Sequence, residues 1–118
     1  MPATAPEPEV ILAAAIDYLE RELLPTLSGY HRFQTRVTAN VLAQVRRELA
    51  LAPLQENRER GRLEALLGHS GDRDSLSREL ARRIRSGSIA IDDAALLDHV
   101  RQSLVEALRI SNPKWIGE

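Results

Sequence analysis

One segment constrains this chain more than any other: Tyr30 to Leu51, YHRFQTRVTANVLAQVRRELAL. Phe33, Val37, Val41, Val45 and Leu49 recur every four residues. At about 100° per residue such a row winds slowly around one face of a helix, so the segment predicts a long helix with an apolar stripe directed to a core. A strand would need alternation with a period of two, which is absent here. A second row at the same spacing, Asn40, Gln44 and Glu48, starts beside the stripe and drifts into its sector. A polar row next to a core must find partners or cost stability.

The rest of the chain repeats the helical theme. Apolar residues make up 43% of the 118 residues and aromatics 3%. The core must therefore be aliphatic, which favours interdigitating helices over a sheet. The length suits one domain with a modest core. Residues 1–8 are rich in Pro and Ala and are expected to be a flexible start, with Thr4 and Glu7 at capping-box spacing. Residues 9–118 are then expected to form a single helical domain.

Within it, a first helix runs to about Leu24 with Leu12, Ala15, Ile16, Leu19 and Leu23 inward, and Pro25 ends it. The second helix is Tyr30 to about Leu51, stopped by Pro53. A third, shorter helix covers Leu54 to Leu67 and is weakened by Gly61, so it is either peripheral or begins in earnest only near Gly61. The loop GHSGDRDS (68–75) leads to a fourth helix, capped by Asp74 or Ser75, with Leu76, Leu80 and Ile84 inward and Gly87 at its end. Ile89 and Ile91 form a short extended link that packs both side chains down. Asp92 or Asp93 caps a fifth helix to about Ile110, whose core face is Leu96, Leu97, Val100, Leu104, Ala107 and Leu108, before Asn112-Pro113. The expectation is an all-α fold of about five helices in a single bundle-like domain.

The functional signals are few. No cysteine is present, which excludes disulfides, thiolate catalysis and Cys-based metal sites. The formal net charge of -1 gives no global basic field for nucleic acid. The start MPATAPEPEV has no basic leader and the longest early apolar run is far short of a membrane span, so a cytoplasmic protein is the default expectation. His31, His69 and His99 are scattered and read as surface or capping residues. Asp72 and Asp74 lack the further acids of a calcium loop and read as helix caps. Arg78, Arg82, Arg83 and Arg85 form a basic helix segment, read as a solvated face paired with acids such as Asp92 and Asp93 rather than a nucleic-acid patch. Phosphate-loop, dinucleotide-binding and nucleophile-elbow motifs are absent, and no cofactor or catalytic residue is indicated.

Two features are candidates for binding. Arg36, Asn40, Gln44, Arg47 and Glu48 cluster on the second helix. They suit either a polar pocket for an anion, carboxylate or acyl group, or a network that fixes helix register or joins two subunits. Trp115, just past the last helix, either folds back on the core or anchors a partner.

RFQTRVTANVLAQVRREL (Arg32–Leu49) and the closing LRISNPKW (Leu108–Trp115) together resemble a family of small bacterial helical proteins of unknown function. The phrase R-V-x-A-N, Arg36 to Asn40, is its most distinctive piece. An aromatic after Asn-Pro is also family-like, although a tyrosine close behind the proline is more usual than Trp115. The genes of that family often lie beside an aminoglycoside-phosphotransferase-like kinase and an acyl-CoA dehydrogenase. The resemblance therefore implies an accessory role in acyl-CoA or hydroxy-acid catabolism. With no catalytic constellation in the residues, the expectation is a non-enzymatic protein that binds a partner, one of these two proteins. The resemblance brings no catalytic residues. The chain itself lacks kinase motifs and is too short for a flavin dehydrogenase. A homodimer is expected because a helical domain this small gains by sharing apolar surface. The alternative is a small enzyme or ligand-binding domain with its pocket on the second helix.

Overall fold

The computed structural model describes residues 6–117, and every described regular element is a helix. Thr4 and the capping box expected there lie outside the described residues. Among the described residues there are four α-helices: α1 (Pro8–Asp17), α2 (Gly29–Leu67), α3 (Arg73–Ser86) and α4 (Ala94–Ser111). The all-α expectation holds, but the count is four, not five. Two compact units divide the chain, Met1–Ala52 and Pro53–Glu118.

The missing fifth helix is explained at Pro53. Expected as a stop, it lies inside α2, which continues to Leu67. A proline in a helix removes one N–H and crowds the carbonyl four residues back, a cost of about 3 kcal/mol. Here good helix formers flank it, Leu49–Ala52 before and Leu54–Glu56 after, and helical propensity is cooperative enough to carry one lost bond.

In the first unit, α1 starts at Pro8, where a missing N–H costs nothing. It runs into a π-helical turn, Tyr18–Leu23, in which the N–H of Leu24 reaches back to the Leu19 carbonyl. A 3₁₀ turn, Leu24–Thr26, follows around Pro25. Orphan carbonyls at this end are satisfied by Thr26 Oγ1, donating to Leu23 at 2.7 Å, and by Arg32 Nη1, donating to Leu24 at 3.0 Å. Ile16, Leu24 and Ala39 are the buried apolar residues of this unit. Ile16 was expected inward, whereas Ala15 is exposed.

The stripe of α2 overturns an expectation. Phe33, Val37, Val41, Val45 and Leu49 are exposed, Phe33 at 64% and Val41 at 55%. The buried or half-buried side of this half is Thr35, Ala39, Leu42 and Ala43. Ala39 lies about 160° around the helix from Val41, so the helix carries two apolar faces and the smaller one is covered.

The second unit has a leucine core of Leu63, Leu67, Leu76, Leu80 and Leu96, with Leu66, Ile84 and Ile89 packed against it. The stretch before Leu67, expected to be peripheral or to begin in earnest only near Gly61, thus supplies Leu63, one of the two most completely buried side chains. The cap of α3 is Asp72, two or three residues before Asp74 and Ser75. It accepts from the Ser75 N–H at 3.0 Å. Gly87 closes α3 with φ 81°, a left-handed value that suits glycine. Asp93 caps α4 as expected, accepting from the Leu96 N–H at 3.0 Å. Ile89 packs down but Ile91 is exposed. On α4 the expected core face is mostly the outer one. Leu96 is buried, while Leu97, Val100 and Leu104 are exposed. The inward face is instead Leu96, His99, Ser103 and Glu106, spaced by three or four residues.

Candidate functional site

On the first half of α2, Arg36, Asn40, Gln44 and Glu48 are all exposed and Arg47 is half-buried. The row therefore lies on the surface beside the exposed apolar stripe. Each of Arg36, Asn40, Gln44 and Glu48 sits three residues after a stripe residue, which makes it a flanking ridge on the same outer surface. Tyr30, also exposed, stands edge-on to His31 with ring centroids 5.4 Å apart and receives a hydrogen bond from Gln34 Nε2 at 3.0 Å.

The polar network that is buried lies in the second unit. Arg62 of α2 fans across the inner face of α4. Its Nε donates to Nδ1 of His99 at 3.1 Å. Its Nη2 donates to Ser103 Oγ at 3.1 Å and to Glu106 Oε1 at 2.9 Å. The Arg62 and Glu106 side chains are only 14% and 10% exposed, so this is a largely desolvated ion pair. Gln55 Nε2 adds a bond to the Glu106 carbonyl at 2.9 Å. Among the described residues no buried side-chain polar atom lacks a partner.

This arrangement fixes the chemistry of His99. A ring nitrogen that accepts from Arg62 cannot carry a proton, so the neutral ring holds its proton on Nε2. Burial lowers the pKa of His99, and the Arg62 charge lowers it further. His99 was expected at the surface; it is buried because α4 turns this face to Arg62. A pocket of about 190 Å³ opens beside it, lined by Arg62, Ala65, Leu66, Ala95, Asp98, His99 and Gln102. At its edge Asp98 accepts from Arg101 at 2.9 Å and from Gln102 at 2.6 Å, and these bonds hold its carboxyl below the usual range.

His69 behaves oppositely. Exposed on the loop after α2, its Nε2 lies 2.8 Å from Glu79, which raises its pKa and lowers that of Glu79. Glu79 also takes Arg83 at 2.6 Å. Arg83 of the basic segment is thus neutralised on its own helix rather than by Asp92 or Asp93.

Trp115 does not fold back on the core. It sits in a 3₁₀ turn, Pro113–Ile116, and is 76% exposed. The network of Arg62, His99, Ser103 and Glu106 was missed in the sequence, although its signal is there. His99, Ser103 and Glu106 share one face of α4 at spacings of four and three residues, a helical period like that of Asn40, Gln44 and Glu48. Among the described residues no group of three or more His, Asp or Glu side chains could hold a metal, and no helix is long and apolar enough to cross a membrane.

Residues 25–115 match the model of a domain of unknown function, DUF6285, and the chain belongs to that family. No curated protein and no solved structure matches the chain.

Proposed function

We propose that this chain is a non-enzymatic, cytoplasmic accessory protein that binds protein partners and associates with itself. The observation that carries this reading is its unpartnered apolar surface. In the second unit Leu97, Val100 and Leu104 line the outer face of α4, and Trp115 stands exposed beyond its end. Contiguous exposed apolar side chains on a small soluble domain mark interaction surfaces, and tryptophan is favoured where such surfaces concentrate their binding energy.

The hetero-partner is proposed to be the kinase-like protein or the acyl-CoA dehydrogenase implied by the resemblance, which would tie the protein to acyl-CoA or hydroxy-acid catabolism. Pull-down of each purified candidate at micromolar concentration tests this. A complex weakened at least tenfold by Trp115→Ala or Leu104→Asp is expected. No complex with either protein contradicts the partner assignment.

The alternative is ligand binding. Its support is the concavity beside Arg62 and His99 rather than the exposed row on α2. A thermal-shift screen of small carboxylates against wild type and His99→Gln separates it from the leading reading.

A further inference from the structure

The outer face of the first half of α2 is self-complementary. The stripe reads Phe33, Val37, Val41, Val45, Leu49, all exposed. Its size order is palindromic about Val41, with three small β-branched residues in the middle and a bulky residue at each end. The flanking ridge reads Arg36, Asn40, Gln44, Glu48, also all exposed. It is palindromic in polarity about position 42, with a cation at one end, an anion at the other and two amides between.

We infer that this face pairs with the same face of a second copy of the chain, antiparallel about a two-fold axis near Val41, a site that rests on the self-association proposed above. In such a pair residue i of one copy meets j of the other, and j meets i. Val41 meets Val41, Val37 meets Val45, and Phe33 meets Leu49. The rotation brings the two polar ridges to the same side, where Arg36 meets Glu48 and Asn40 meets Gln44, each twice. A parallel pair, with its two-fold along the helices, would put the two ridges on opposite sides of the seam and keep Arg36 of one copy away from Glu48 of the other. Interdigitating the i, i+4 ridges of the two copies, each lying in the groove beside the other's, gives a crossing angle of about −50°, the commonest class. Helices crossing at that angle approach closely at the centre and splay outward. Valines fit the centre, and Phe33, Leu49 and Tyr30 fill the splay.

The area is of the right order. Tyr30 and the five stripe residues expose roughly 500 Å² of side chain per copy, about half of it aromatic. With the polar ridge this approaches the ~800 Å² per partner of a standard interface. The row that looked like a site in the sequence thus sets register and direction, a role for which polar residues beside apolar seams are well suited.

Sedimentation equilibrium of the full chain tests this, with helix content checked by circular dichroism. Wild type dimerises, and Val41→Asp weakens the dimer at least 100-fold because the change enters twice at the axis. R36E alone and E48R alone each weaken it about tenfold, since each sets like charges together twice. The double variant R36E/E48R, and an equimolar mixture of the two single variants, both return to wild-type affinity. A wild type that stays monomeric at 200 μM or about that level overturns the inference. So does a dimer indifferent to Val41→Asp, which must use another face. Single charge variants that dimerise like wild type, alone and mixed, mean that the two ridges do not meet, as in a parallel pair, and also overturn it. Capture of the hetero-partner is read separately through Trp115→Ala, so a monomer that still captures its partner refutes only the self-pairing.

Discussion

The two halves of α2 obey the same sequence rule and meet different fates. Before Pro53, the apolar row from Phe33 to Leu49 is on the surface; after it, Leu63, Leu66 and Leu67 are in a core. The polar residues reverse as well: Asn40, Gln44 and Glu48 are exposed, whereas Arg62 is largely buried and bound to three side chains of α4. Apolar periodicity states which face of a helix gains by leaving water. It does not state whether the chain itself or another molecule supplies the cover.

The largest test of this contrast is truncation on each side of it. Leu63→Ala or Leu76→Ala is expected to cost about 3–5 kcal/mol, since both side chains are fully buried and each leaves a cavity. Val41→Ala, measured at concentrations where the chain is monomeric, should stay within about 0.5 kcal/mol. Urea denaturation reads both. Equal losses would mean that the α2 stripe is already covered within one chain.

Removing Arg62 probes the buried polar half. Arg62→Ala strands Glu106 in a site with little water and should cost about 3–5 kcal/mol, while a joint Arg62→Met, Glu106→Leu replacement should recover most of it. If Arg62→Ala costs no more than a surface change, the network is solvated. Pro53→Ala restores an N–H facing the Leu49 carbonyl, and a net gain of about 1–2 kcal/mol is expected after the added flexibility of the unfolded chain is offset. A loss would show that the proline is needed where the two units meet in sequence.

The smallest expected effect is a pH dependence. The folded pKa of His99 lies below its unfolded value, so its neutral form is favoured by folding. That stability is fully present above the unfolded value of about 6.5 and is lost as pH falls through the folded value. Protonation would also break the bond from Arg62. The raised pKa of His69 acts in the opposite sense: its contribution is present below pH 6.5 or about there and is lost as pH rises through its folded value. Denaturation midpoints of His99→Gln and His69→Asn between pH 5 and 8 separate the two. His99→Gln should flatten the acid limb, and an unchanged limb would remove His99 as its cause.

Much of this was legible in the sequence. The all-α class, the end of α3 at Gly87, the cap of α4 at Asp93 and the inward residues of α3 follow from capping chemistry and periodicity. Pro53 misled because a single proline weakens a helix without ending it when both flanks are strong formers. On α2 and α4 the apolar residues occupy two faces, and periodicity cannot rank them. Leu97, Val100 and Leu104 look as core-like as Leu96. The buried network escaped notice because Arg62 stands in a stretch that reads as wholly polar, and its partners are aligned only once α4 packs across it. Of the R-V-x-A-N phrase, by contrast, Arg36, Val37 and Asn40 lie on the surface and Ala39 is buried.

Amide hydrogen exchange at increasing protein concentration measures the contrast between the two halves most directly. Protection of amides between Tyr30 and Ala52 should rise with concentration, while that of Arg62 to Leu67 stays constant until global unfolding. Concentration-independent protection throughout α2, or a rise confined to α4, would contradict the account.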